Sequence, residues 1–236
     1  MIPWLNDAPG FPPVEQALTE PNGLLAAGGG LTPEWLLVAY RQGIFPWFSA
    51  GEPILWWSPD PRLVLVPAEI RISRSLRKTL RRQQFEVSLD TAFDAVVGAC
   101  AAPRAGGQGT WITPEIRDAY LRMHELGHAH SVECWRDGQL VGGLYGIALG
   151  RVFFGESMFS IETDASKVAL AHLARFLSAR AYVMIDCQMK TAHLMSMGAQ
   201  TVSRQQFGTV LARHACSDIP AARWPADATR GIDWSK

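Results

Sequence analysis

The feature that most restricts the fold is the run from Leu140 to Ser160, Leu-Val-Gly-Gly-Leu-Tyr-Gly-Ile-Ala-Leu-Gly-Arg-Val-Phe-Phe-Gly-Glu-Ser-Met-Phe-Ser. Two apolar, aromatic-rich segments flank Leu149-Gly150-Arg151, which is the pattern of a β-hairpin. Glycine weakens a strand, so the glycines at 142, 143, 146, 150 and 155 imply bulges or a ligand close against the backbone. One acid, Glu156, lies in the returning strand among Phe153, Phe154, Met158 and Phe159. A carboxylate there sits at a solvated edge, or it is paired and used.

The flanking segments supply the other elements. Residues 1–30 are rich in Pro and Gly and read as irregular structure with turns. A helix follows, with Thr32 at the N-cap, Pro33 at N1, an apolar face of Trp35, Leu36, Ala39 and Tyr40, and Gly43 closing it. The segment 43–62 is too proline-rich for a long helix or a central strand, and its aromatic residues form a local core or a stacking platform. A short strand is expected from Arg62 to Val66. In residues 71–82, Ile72, Leu76 and Leu80 give one apolar stripe, while Arg71, Arg74, Arg77, Lys78, Arg81 and Arg82 give a basic outer face without an acid. Such a face is either simply solvated or faces a polyanion that relieves the repulsion.

Further on, strand-like Phe85–Leu89 leads into a helix capped by Asp90, and Ala101–Gln108 reads as a flexible loop. Thr113 caps the next helix, whose inner face is Ile116, Ala119, Tyr120 and Met123 and whose stop is Gly127. His128–Trp135 is a strand that turns at Asp137-Gly138 into the hairpin. After Ser160, Asp164 caps a helix through Leu177, and Tyr182–Gln188 is a strand. Period two puts Met184, Asp186 and Gln188 on one face of that strand; Asp is unusual in strands, so the Asp186/Gln188 pair asks for a role. A last amphipathic helix spans Arg204–His214, and the tail from Ser217 is irregular. Strands and helices alternate around a hairpin from residue 63 on, which is a mixed α+β sheet.

Composition removes several classes. Lys+Arg and Asp+Glu both number 22, so contact with nucleic acid has to come from local clustering. The four cysteines, Cys100, Cys134, Cys187 and Cys216, lack paired spacing and fit a reduced cytoplasm better than a disulfide framework or thiolate zinc site. No apolar run is long enough for a membrane span, and the first residues lack the features of a signal peptide.

Two motifs compete with other readings. His124-Glu125-Leu126-Gly127-His128 matches H-E-x-x-H, but that zinc site needs a continuous helix, and Gly127 is expected to end it. Arg104-Ala-Gly-Gly-Gln-Gly109 matches the loose R-x-x-G-x-G loop of CoA-dependent acetyltransferases, yet Thr110-Trp111-Ile112 separate it from the helix start and it precedes the hairpin. No phosphate-binding loop, dinucleotide fingerprint or serine-nucleophile elbow occurs.

Several longer blocks together resemble the leucyl/phenylalanyl-tRNA–protein transferase family, over about residues 20 to 200. They are Gly28-Gly29-Gly30-Leu31-Thr32, Gly43-Ile-Phe-Pro-Trp-Phe48, Leu55-Trp-Trp-Ser-Pro-Asp-Pro-Arg62, Gly109-Thr-Trp-Ile-Thr113, His124-Glu-Leu-Gly-His-Ala-His130, Gly155-Glu-Ser-Met-Phe-Ser160 and Ile185-Asp-Cys-Gln188. The resemblance implies an α+β fold, with a small aromatic-rich N-terminal domain at 1–62 and an acetyltransferase-like (GNAT-type) mixed sheet domain at 63–236. It implies transfer of Leu, Phe or, less, Met from aminoacyl-tRNA to the α-amine of proteins beginning with Arg or Lys, which marks them for degradation. The expected partners are the tRNA 3′ end and acceptor stem and those acceptor proteins, for a cytoplasmic monomer without cofactor or metal.

The resemblance also implies residue roles. Asp186 would accept from the Gln188 amide, Gln188 would orient the attacking amine or stabilise the tetrahedral intermediate, and Glu156 would attract the cationic acceptor. Leu144, Phe153, Met158 and Leu170 would form the Leu/Phe pocket. Trp47 and Trp111, helped by Tyr40 and Tyr120, would stack on the terminal adenosine. Arg74, Arg77, Lys78, Arg81 and Arg82 would take tRNA phosphates. The family pattern has Asn three residues after the glutamine, where this chain has Thr191, so a role resting on that amide does not carry over. Leu144 stands where the family has Met, a volume-conserving change. The readings left open beside this one are a CoA-dependent or cell-wall acyltransferase on the same fold, a non-catalytic RNA-binding module, and a zinc peptidase.

Overall fold

In the computed structural model, residues 2–102, 111–216 and 219–234 are described. The hairpin is there: β8 (Gln139–Leu149) pairs antiparallel with β9 (Val152–Ser160) through a turn at Gly150-Arg151. It lies in a seven-stranded sheet with β5 (Arg62–Leu65), β6 (Glu86–Leu89), β7 (Ala129–Arg136), β10 (Met184–Gln188) and β11 (Gln200–Val202), in the order β11-β5-β10-β9-β8-β7-β6. Within this sheet, among the described residues, only the β9–β10 pair is parallel, which requires a crossover; α5 (Ala165–Ala179) makes it. The sheet is thus mixed, as alternation from residue 63 predicts.

Two glycines explain how the hairpin fits. The register slips between Tyr145 and Gly146, and a Cβ on Gly146 would overlap the Phe154 carbonyl oxygen. A Cβ on Gly142 would lie 2.5 Å from the Ala165 Cβ, so the first turn of α5 approaches the sheet only because that position has no side chain.

Period two sends alternate strand residues to two cores. Tyr145, Ile147, Leu149 and Phe154 join one cluster with α3 (Phe93–Ala101), α4 (Pro114–Glu125) and α7 (Arg204–His214). Leu144 and Phe153 join the other, with α5 and with Leu76 and Leu80 of α2 (Arg74–Arg81). Leu76 and Leu80 of the predicted α2 stripe and the predicted inner face of α4 are the buried ones, while Ile72 lies before α2 and is half-buried.

The N-terminal segment departs from the irregular reading. It holds a four-stranded sheet, β1 (Trp4–Leu5), β2 (Leu24–Gly28), β4 (Leu55–Trp57) and β3 (Phe45–Pro46), in that order, with α1 (Pro33–Arg41) beside it. Pro46 is on the edge strand, where its missing N–H costs nothing. The aromatic residues divide: Trp56 stacks on Trp35 with centroids 6.0 Å apart and is buried, whereas Trp47 points outward.

Some predicted caps are corrected. Helix α3 begins at Phe93 with Ala92 at its N-cap, and Asp90 bonds the Ser131 and Trp224 N–H groups and His130 Nδ1, at 2.9, 2.8 and 2.8 Å. Burial works against the Asp90 carboxylate, but these bonds outweigh it and hold its pKa below the usual value. Asp164 holds the N-cap position of α5 as predicted, with φ +69°, but its carboxylate bonds Lys167 and Thr79 and no helix N–H, and Thr32 at the N-cap of α1 likewise makes no side-chain cap bond. The tail is irregular as read, but Trp224 stacks on His130 at 3.8 Å. Among the described residues no helix is long and apolar enough to cross a membrane.

Candidate active site

Strand β10 ends in a bend that organises the site. Its register against β5 shifts between Asp186 and Gln188, and Gln188 has φ +56°. The Asp186 carboxylate makes this bend by accepting the Gln188 backbone N–H at 2.9 Å. Arg62, at the start of β5, grips the same carboxylate through Nε–Oδ1 at 2.8 Å and Nη2–Oδ2 at 2.7 Å, with both side chains buried. The Arg62 guanidinium also lies between the Phe45 and Phe207 rings, 4.8 Å from each centroid.

The bend corrects one expected contact. The Gln188 side-chain amide does not reach Asp186; its Nε2 donates to Glu156 Oε1 at 3.0 Å. Period two fails at the last residue because of the bulge, so Gln188 leaves the Asp186 face and turns toward β9.

Glu156 has two further partners, and they correct a second expectation. Tyr40 of α1 donates to Oε1 at 2.7 Å and Tyr120 of α4 bonds Oε2 at 2.8 Å. The two tyrosine hydroxyls are 2.5 Å apart, and both residues are fully buried. Neither ring has a free face for an adenine; sequence reading missed this because the helix period shows only that they point inward. Burial pushes the Glu156 carboxyl up to about 7, against the opposing hydrogen bonds from Tyr40 and Tyr120. Burial pushes both tyrosines well above the usual phenol value. Tyr145, also fully buried, has a hydroxyl without a hydrogen-bond partner among the described residues.

Two cavities meet at this point. One, of about 340 Å³, is lined by Leu144, Tyr145, Phe153, Met158, Leu170, Leu173, Glu156, Asp186, Gln188, Thr191 and His193, among others. It brings together all four residues expected in an apolar amino-acid pocket. The second, of about 310 Å³, is lined by Trp47, Trp111, Phe45 and Met189, among others, and shares Glu156, Ser157, Met158, Cys187, Gln188, Thr191 and Leu194 with the first. Thr191 caps α6 (Ala192–Ser196) by accepting the Leu194 N–H at 3.2 Å, a task an Asn would also perform. A larger cavity of about 630 Å³ lies elsewhere, between Arg41, His128, Arg180 and residues 219–224, and no acid among the described residues lines it.

On α2, Arg74, Lys78, Arg81 and Arg82 are exposed and Arg77 is half-buried. Among the described residues Arg74, Arg77, Lys78 and Arg82 have no carboxylate partner, and Arg81 Nε bonds the Trp234 carbonyl at 3.1 Å. The zinc geometry is not formed: α4 ends at Glu125, Gly127 turns at φ +77°, and His124 stacks on Phe93 with Nδ1 on the Ala129 carbonyl. The Arg104–Gly109 loop lies outside the described residues.

Arg62 was not singled out from the sequence. The signal was there: one charge opening an apolar strand and one charge of opposite sign inside another have to find each other when both are buried.

Known proteins are similar to this chain along its whole length. A family profile described as leucyl/phenylalanyl-tRNA protein transferase matches residues 64–212, and one described as the N-terminal domain of that transferase matches residues 29–60. A leucyl/phenylalanyl-tRNA–protein transferase of Azoarcus sp. (strain BH72) is 69% identical, with 100% of each chain covered. One of Aromatoleum aromaticum is 65% identical, covering 98% of each. Among solved structures, a GCN5-related N-acetyltransferase from Kribbella flavida aligns with a TM-score of 0.36 at 12% identity, over 72% of this chain and 61% of that one, too remote to bear on function.

Proposed function

The chain belongs to the leucyl/phenylalanyl-tRNA protein transferase family, and from that premise we propose that it moves leucine or phenylalanine, and less readily methionine, from aminoacyl-tRNA to the N-terminal α-amine of proteins beginning with Arg or Lys. The observation that carries this reading is the meeting of an apolar cavity and a tryptophan-lined cleft at Glu156 and Gln188. An aminoacyl-adenosine has the same three parts: an apolar side chain, an ester, and an aromatic base.

The reaction is aminolysis of an activated ester. An α-amine with a pKa near ~8 has an appreciable neutral fraction at pH 7, so positioning supplies much of the rate. The leucine side chain enters the pocket of Leu144, Phe153, Met158 and Leu170. A wholly apolar wall separates neighbouring aliphatic residues by only ~1–3 kcal/mol per methylene, so shape decides among them. Trp47 and Trp111 hold the adenine, and Arg74, Arg77, Lys78, Arg81 and Arg82 take acceptor-stem phosphates. Asp186, held by Arg62, fixes the strand end. Gln188, fixed in turn by Glu156, orients the amine with its carbonyl oxygen.

The same reading places the domain division at 62/63, supported by the separate small sheet and by the two profile matches. It makes the protein a cytoplasmic monomer whose product enters regulated degradation. The test is transfer of labelled leucine from leucyl-tRNA to a protein beginning with Arg and to one beginning with Met. Selective labelling of the first is expected; equal labelling, or none, overturns the reading.

A further inference from the structure

Three side chains at the junction of the cavities make three mutual contacts. Tyr40 Oη is 2.7 Å from Glu156 Oε1, Tyr120 Oη is 2.8 Å from Glu156 Oε2, and the two hydroxyl oxygens are 2.5 Å apart. A hydrogen bond needs one proton between its two oxygens. The phenols bring one each, so three bonds need a third. Both phenols are buried and keep theirs, which leaves the Glu156 carboxyl to carry it.

One arrangement satisfies every atom. Glu156 Oε2–H donates to Tyr120, Tyr120 donates to Tyr40, and Tyr40 donates to Glu156 Oε1, which also accepts Gln188 Nε2–H. A carboxylate in the same place would leave two hydroxyl oxygens in contact with no proton between them. We propose that Glu156 holds this proton in the resting protein and, once it has lost it, shuttles the proton of the attacking amine to the departing ribose oxygen. A fixed negative charge that draws in the cationic acceptor, the role the resemblance implied for Glu156, does not fit a neutral carboxyl.

The inference rests on the aminolysis reading, and the step balances. The amine nitrogen forms a bond to the ester carbonyl carbon and its proton goes to the Glu156 carboxylate. The bond from that carbon to the ribose oxygen then breaks, and the proton passes to the oxygen. No net proton is gained or lost, and Glu156 ends as it began. It lines both cavities, so the junction is within its reach.

The other groups facing Glu156 are committed or unsuited. Asp186 is bound by Arg62 and by the Gln188 N–H. Burial pushes the Tyr145 hydroxyl and the Cys187 thiol up, which leaves both protonated. His193 lines the apolar cavity with Nε2 lacking a partner among the described residues, and burial lowers its pKa, so it is the rival proton acceptor.

Glu156→Gln separates the alternatives, because glutamine offers one donor and one acceptor, the pattern of the neutral acid. The variant is expected to melt at or above the wild-type temperature, whereas Glu156→Ala melts below it. Infrared spectra of the resting protein are expected to show a carboxylic-acid band that titrates near pH 7 and is missing in Glu156→Gln. In single-turnover transfer below that pH, the logarithm of the wild-type rate should rise with a slope of about 2, one unit from Glu156 and one from the acceptor amine. In Glu156→Gln the slope should be about 1 and the rate ~10²–10⁴-fold lower. An unchanged slope and rate, a missing band, or a slope lost in His193→Asn instead would overturn the proposal. A wild type that transfers nothing overturns the transferase reading and the shuttle with it, while the infrared band separately decides the protonation of Glu156.

Discussion

Replacing Arg62 with methionine leaves Asp186 as a fully buried carboxylate without its cation. Two charge-assisted hydrogen bonds of 2.8 and 2.7 Å are lost, and only the Gln188 N–H at 2.9 Å remains. Removing one partner of a buried pair costs about 3–5 kcal/mol, because the survivor keeps its desolvation penalty. That is a large part of the roughly 5–15 kcal/mol that holds a domain together. At about 2–4 °C per kcal/mol for a chain of this size, the melting temperature should fall by roughly 6–20 °C. Urea unfolding followed by tryptophan fluorescence measures this. Adding Asp186→Asn removes the stranded charge and keeps an acceptor for the Gln188 N–H, so the double variant should be more stable than Arg62→Met. An Arg62→Met protein within about 1 kcal/mol of the wild type, or a strictly additive double variant, would refute the reasoning.

Tyr145→Phe removes a buried hydroxyl that has no partner among the described residues, so stability should hold or rise by up to about 1 kcal/mol in thermal melts, while a loss of transfer rate would show that the hydroxyl meets the substrate. Thr191→Asn should leave melting and transfer near wild type because asparagine caps as well as threonine does; Thr191→Ala should cost about 1 kcal/mol by chemical unfolding. Removing one α2 charge, as in Lys78→Ala, should weaken tRNA binding and lower the slope of log affinity against log salt by about 1 in a filter-binding titration, with the unfolding midpoint unchanged.

Much of the fold was legible where local chemistry decides it. The glycine turn at 150, the Thr113-Pro114 helix start and the Leu76/Leu80 stripe each act within a few residues, and the structure has them there. Strand β2 was missed because Leu-Leu-Ala-Ala-Gly has neither β-branched residues nor alternation, and it is held by its neighbours β1 and β4. Asp90 and Asp164 look like caps locally, but partners distant in sequence claim their carboxylates. At the site, Leu144, Phe153, Met158 and Leu170 lie around one cavity because hairpin register and helix period place them there. What the sequence hid was hydrogen bonding across elements: the Arg62 fork, the bulge that turns Gln188 toward Glu156, and the burial of Tyr40 and Tyr120 against that acid. None of these follows from period or propensity, since each depends on which elements meet.

The central claim is that amino acid, ester and adenosine lie across the two cavities that share Glu156 and Gln188. A crystal structure with a stable amide analogue of leucyl-adenosine tests it most directly. The account predicts the leucine side chain among Leu144, Phe153, Met158 and Leu170, the amide beside Gln188, and the adenine against Trp47 and Trp111. An analogue bound in the cavity beside Arg41 and Arg180, or bound here with adenine and leucine exchanged, would contradict it.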